Sequence, residues 1–62
     1  MKDALQRAER MGSDAHAFGT PRQENPYQEF AGIAPAGELA AAWWRGWDTA
    51  EILERLPGDA SR

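Results

Sequence analysis

Three of the four prolines and two of the six glycines fall between residues 19 and 35. Proline lacks an amide N–H and its ring collides with the preceding helical turn, so no helix runs through this interval. The stretches on either side are free of proline and show the period of a helix. The chain is thereby restricted to two helices and whatever joins them.

The first stretch, residues 3–18 (DALQRAERMGSDAHAF), places Ala4, Ala8, Met11, Ala15 and Phe18 at steps of four and three, one apolar stripe. Asp3 is the expected N-cap, with Gln6 at capping-box spacing. Gly19 and then Pro21 end the helix, because glycine tolerates the left-handed conformation after a C-terminus and proline cannot continue it. The second stretch, residues 36–56 (AGELAAAWWRGWDTAEILERL), stops before Pro57, and residues 57–62 (PGDASR) form a polar tail. Inside the connection, Asn25-Pro26-Tyr27-Gln28 predicts a single helical turn capped by Asn25. Tyr27, Phe30 and Ile33 are the expected anchors of this segment.

In the second helix, Trp43 and Trp47 lie about 40° apart in projection, with Leu39, Gly46 and Ala50 within about 60° of Trp43. These five residues define the expected inward face. Gly46 costs ~1 kcal/mol of helix propensity, which is understandable if another element approaches closely there. Trp44 projects about 100° away, beside Asp48, Glu51 and Arg55, at the border of core and solvent. It either packs under the connection against Phe30 or Ile33, or offers an aromatic face to a partner.

A chain of 62 residues without cysteine has neither a disulfide framework nor a cysteine-based zinc site to hold it. Chains of this size bury only about 60% of their unfolded surface, so stability must come from large aromatics, a partner or self-association as a homodimer. The expected fold is all-α. It is a two-helix hairpin with a long packed connecting loop that contains a short helical turn, one domain over residues 1–62. The sequence lacks the roughly 20-residue apolar run of a membrane span and the apolar core of a signal peptide. A soluble cytoplasmic protein with no membrane partner is therefore expected.

Seven Lys/Arg against ten Asp/Glu give a net charge of −3, without the basic stripe of a free-standing nucleic-acid binder. Arg7 and Arg10 share one flank of the first helix with Asp14, while Arg22 and Arg45 stand isolated in the sequence. Such charges ordinarily form a solvated, salt-bridged surface, and phosphate contact is the functional alternative. Ser13, Asp14 and His16 are the residues from which nucleophilic catalysis could be assembled. Ser13 and His16 project about 60° apart on the outer face of one helix, without an oxyanion-hole loop, so a solvated face is expected and no catalytic residue. His16 has no second histidine or cysteine to complete a typical transition-metal site. GTPRQENP does not match a phosphate-cradling G-x-x-x-x-G-K-[ST] loop. No cofactor and no metal are expected.

Gly12, Ala15, Gly19, Asn25, Pro26 and Tyr27, followed by Trp43-x-x-Gly46-Trp47-x-x-Ala50, form an ordered set over most of the chain. In this order and spacing they resemble the ribosome modulation factor family, small bacterial proteins of two helices joined by a loop. The resemblance implies a non-enzymatic protein that binds rRNA of the small ribosomal subunit, occludes messenger binding and promotes hibernation. Some plasmid proteins grouped with this family are described as antibiotic-phosphorylating, an activity that the missing nucleotide loop argues against here. Arg7, Arg10, Arg22, Tyr27, Trp44 and Arg45 are the candidate contacts to rRNA or another partner. The alternative is a small acidic adaptor or inhibitor, from a phage or plasmid for example, that uses the same fold on a protein target.

Overall fold

The computed structural model describes residues 2–56, so the polar tail at 57–62 lies outside the described residues. Helix α1 spans Lys2–Ala17 and helix α2 spans Ala36–Arg55, with 3-10 turns at Arg22–Glu24 and Gln28–Phe30 between them. Among the described residues there is no strand. The architecture is all-α, two helices joined by a long packed connection.

Asp3 lies inside the first turn of α1 rather than at its cap, because the helix already includes Lys2. The Asp3–Gln6 capping box is therefore not formed, although a carboxylate in the first turn still suits the helix dipole. The C-terminus follows expectation. Gly19 takes φ +84°, its N–H bonds the His16 carbonyl, and the Thr20 N–H bonds the Ala15 carbonyl at 2.9 Å. This is a Schellman closure, and it needs glycine at the left-handed position.

The length of the connection has a geometric cause. His16, near the end of α1, bonds Glu51, near the end of α2, so the C-terminal ends of the two helices lie near each other. The chain must then return along α2 before α2 can begin. From Trp47 back to Ala36 is about 16 Å of helix. The connection makes this return in order. Trp47 Nε1 donates to the Thr20 carbonyl at 2.8 Å, Trp44 Nε1 to the Arg22 carbonyl at 3.1 Å, and Asn25 Nδ2 to the Ala40 carbonyl at 3.0 Å.

Two elements thus cover α2, helix α1 and the returning connection. The buried face is correspondingly broader than the face read from the sequence. Ala40 and Ala42 are fully buried beside Trp43, with Ala8 of α1 opposite, whereas Leu39, Trp47 and Ala50 are half-buried. Phe18 is 86% exposed. It lies just past the last residue of α1, where helical projection no longer tells where a side chain points. Met11 is also exposed, with the Tyr27 hydroxyl 3.8 Å from its sulfur.

Phe30 and Ile33 do not anchor the connection, since both are exposed. Hydrogen bonds from α2 hold it instead, together with Asn25, which is 4% exposed. Asn25 Oδ1 accepts the Tyr27 N–H at 2.9 Å while its amide reaches Ala40. The turn over Asn25–Gln28 forms as expected, with the Gln28 N–H on the Asn25 carbonyl at 3.1 Å, and a 3-10 turn at Gln28–Phe30 follows it directly. Replacing Asn25 with Asp keeps the first bond but sets a carboxylate against the Ala40 carbonyl oxygen. Asn25→Asp is expected to cost at least ~1–3 kcal/mol, the penalty of a buried polar group left without its partner. Urea unfolding of wild type and Asn25→Asp measures it, and equal midpoints would show that this tie contributes nothing.

Candidate binding surface

The helices cross where two glycines face one another's backbones. A Cβ on Gly12 would stand 2.8 Å from the Trp43 carbonyl carbon, and one on Gly46 would stand 2.7 Å from the Glu9 carbonyl carbon. Trp43 fills the crossing and is 2% exposed. Gly12, Asn25, Trp43 and Gly46 of the motif are therefore framework, as is Gly19 in the turn. Ala15, Trp47 and Ala50 border the same interior, half-buried, while Pro26 is exposed at the start of the turn.

The candidate contacts to a partner fall into three groups. Arg7 and Arg10 are exposed on α1, with no ion pair among the described residues. Arg45 pairs with Glu9 of α1 at 3.3 Å. Arg22 is likewise not isolated, since its guanidinium donates to both Asp48 oxygens at 2.8 and 3.2 Å and stacks 5.2 Å from the Trp44 ring centroid. The hydrogen bonds to Asp48 raise the pKa of Arg22 further, over a smaller opposing effect of desolvation. Folding thus brings two arginines that are distant in sequence from their carboxylates into pairs with them.

Trp44 packs under the connection, though at Arg22 rather than at Phe30 or Ile33. Its ring is half-buried, and its N–H is already used. Tyr27 is half-buried against Met11. These groups do not converge on one patch of positive charge. They form a mixed surface on which Arg7 and Arg10 are exposed and have no ion pair among the described residues.

Ser13 and Asp14 are exposed as expected. His16 is not on the outer face with them. Its side chain is 10% exposed, the ring meets Trp47 edge-on with centroids 4.8 Å apart, and Nε2 lies 2.7 Å from Glu51 Oε1. Glu54 Oε1 comes within 3.9 Å of the same nitrogen, and Arg55 holds the other oxygen of Glu51 at 2.8 Å. The hydrogen bond from His16 lowers the Glu51 pKa, against a smaller opposing desolvation, and the charge of Arg55 adds to the lowering. Nothing in the sequence pattern foretold this cluster, because the position of Glu51 relative to His16 depends on how the helices cross.

A groove of about 630 Å³ runs between Gln6, Glu9, Arg10 and Ser13 on α1 and Thr49, Leu53 and their neighbours on α2. Among the described residues, no helix is long and apolar enough to cross a membrane. Comparison with protein-family models, curated proteins and solved structures found no match.

Proposed function

We propose that this chain is a non-enzymatic ribosome-binding protein of the ribosome modulation factor kind. It acts in the cytoplasm by occluding rRNA of the small subunit, so that translation is inhibited and ribosomes enter hibernation. The observation that carries this reading is the interlock of the motif residues. Gly12 and Gly46 each receive a carbonyl of the opposite helix, Trp43 fills the crossing and Asn25 ties down the connection. The residues that carry the resemblance thus act together as a frame that holds the two helices at a close crossing, and this supports the reading. Steric occlusion needs no catalytic group.

With a net charge of −3, long-range attraction to RNA is absent and binding must rest on short-range contacts. Two phosphate contacts, from Arg7 and Arg10, give a slope of log K against log salt of about −1.4 on the single-strand scale. Co-sedimentation with purified small subunits across a salt series is the test. Binding is expected at low salt with this shallow slope, and Arg10→Glu should weaken it without altering the fold. Trp44→Ala and Arg22→Glu should weaken it as well, but with partial loss of the connection's order, because both residues hold the connection to α2. A failure to sediment at low salt rejects the ribosome reading.

One observation favours a protein target. Ile52, Leu53 and Leu56 at the end of α2 are 61%, 62% and 51% exposed, and clustered exposed apolar side chains mark protein contacts. An adaptor or inhibitor would use this end. Its signature is a protein partner that survives RNase and is lost in Leu53→Asp while ribosomes fail to bind.

A further inference from the structure

The His16 cluster has more negative charge directed at it than its hydrogen bonds can use. One imidazole nitrogen donates one proton, yet carboxylate oxygens of both Glu51 and Glu54 approach His16 Nε2, at 2.7 and 3.9 Å. Glu51 and Glu54 are three residues apart, so they project from the same face of α2. The C-terminal ends of α1 and α2, each the negative pole of a helix, lie at the same place. Against this stand His16 and Arg55, and Arg55 is taken up by the outer oxygen of Glu51.

We propose that His16, Glu51 and Glu54 form a binding site for a divalent transition-metal ion, specifically Zn²⁺, which staples the end of α1 to the end of α2. The three ligand atoms all lie within 4.8 Å of one another. A tetrahedral zinc ion with bonds of about 2.0–2.2 Å separates its ligands by roughly 3.3–3.6 Å. Zn²⁺ therefore replaces the His16–Glu51 hydrogen bond by a small opening of that pair and a small closing of Glu54. Glu54 is 71% exposed and can move freely, and the fourth position opens to water. Trp47 packs edge-on against the His16 ring, and Arg55 holds the second oxygen of Glu51, so both ligands are already constrained. An imidazole nitrogen in the set selects Zn²⁺ over Mg²⁺ or Ca²⁺, which prefer all-oxygen sites. The staple falls where apolar burial is thinnest, next to exposed Phe18 and Leu53. A ligand that binds only the folded state stabilises it.

The site is independent of the ribosome reading. Its test uses the tag-free full chain at neutral pH, titrated with Zn²⁺ and separately with Mg²⁺. His16 is the single histidine of the chain, so its imidazole ¹⁵N resonances report directly on the site. The expected result is a Nε2 shift that saturates at one equivalent of Zn²⁺, with a rise in melting temperature, and no response to Mg²⁺. Glu54→Gln, which changes an exposed side chain, should leave the metal-free melting temperature unchanged and weaken Zn²⁺ binding by roughly tenfold or more, the scale set by loss of metal-site partners. An imidazole signal that does not move at millimolar Zn²⁺ overturns the proposal. So does a Glu54→Gln protein that binds as tightly as wild type, or uptake of several ions per chain that persists in His16→Gln.

Discussion

Trp43→Ala is expected to abolish the cooperative thermal transition of this protein. Among the described residues Trp43 is the largest fully buried side chain, and its apolar companions in the core are Ala8, Ala40 and Ala42. Truncating a buried tryptophan costs about 3–5 kcal/mol, in lost transfer energy and in the cavity left behind. A small domain has a total stability near the lower end of the usual 5–15 kcal/mol, so one substitution removes most of it. Relaxation offers little relief, because alanines cannot expand into the space and the two helix backbones already touch at Gly12 and Gly46. Circular dichroism at 222 nm with heating measures the effect. A melting curve within a few degrees of wild type would show that Trp43 is not the centre of the core. Trp47→Ala should be milder, since Trp47 is half-buried and borders the interior. Its loss would be felt chiefly at Thr20, where the indole N–H holds the returning connection.

Gly46→Ala should destabilise the protein, contrary to what helix propensity alone dictates. In an exposed helix interior the change from glycine to alanine is worth about 1 kcal/mol in favour of alanine. Here the added methyl group would press on the backbone of Glu9, with the carbonyl carbon at 2.7 Å. No rotamer change can relieve it, because the obstacle is main chain. The helices must move apart, and overpacking of this kind typically costs 1–3 kcal/mol, at times more. Gly46→Leu should be worse than Gly46→Ala. Gly12→Ala should behave like Gly46→Ala, since its methyl group meets the Trp43 carbonyl in the same crossing. Combined, the two changes should cost less than the sum of their separate effects, because one outward shift of the helices accommodates both. Denaturant unfolding of the three single variants and the double variant reads all of this. A Gly46→Ala protein more stable than wild type would mean that the helices do not cross closely there.

The five tryptophan-rich positions from Trp43 to Trp47 show how far sequence reasoning reaches. Projection of a regular helix placed Trp43 inward and Trp44 at the border, and both statements hold in the structure. It also gave Gly46 to a close approach, and α1 makes that approach. Projection separates Ala40, about 60° from Trp43, from exposed Ala41 at about 160°, but it cannot tell buried Ala42 at about 100° from Trp44 at the border, because it describes one helix and knows nothing of what covers it. The returning connection covers a second flank of α2 and decides the matter. Phe30 and Ile33 are exposed for the related reason that hydrophobicity measures what a side chain gains if covered, not whether anything is there to cover it.

The sequence by itself determined the two helices, the stop at Gly19 and the residue at the heart of the core. These follow from local chemistry: the φ that proline fixes, the left-handed conformation open to glycine, and the 3.6-residue period that gathers apolar side chains on one face. Only the tertiary structure decided that the C-terminal ends of the helices meet, that the connection must run back along α2, and that His16 faces Glu51 and Glu54 instead of solvent. It also decided that Arg22 and Arg45 are spent on Asp48 and Glu9. Each of these depends on the relative placement of elements separated by 26 to 38 positions, as in Arg22–Asp48, Arg45–Glu9 and His16–Glu54. That placement is set by backbones meeting at Gly12 and Gly46, a contact with no periodic trace in the chain.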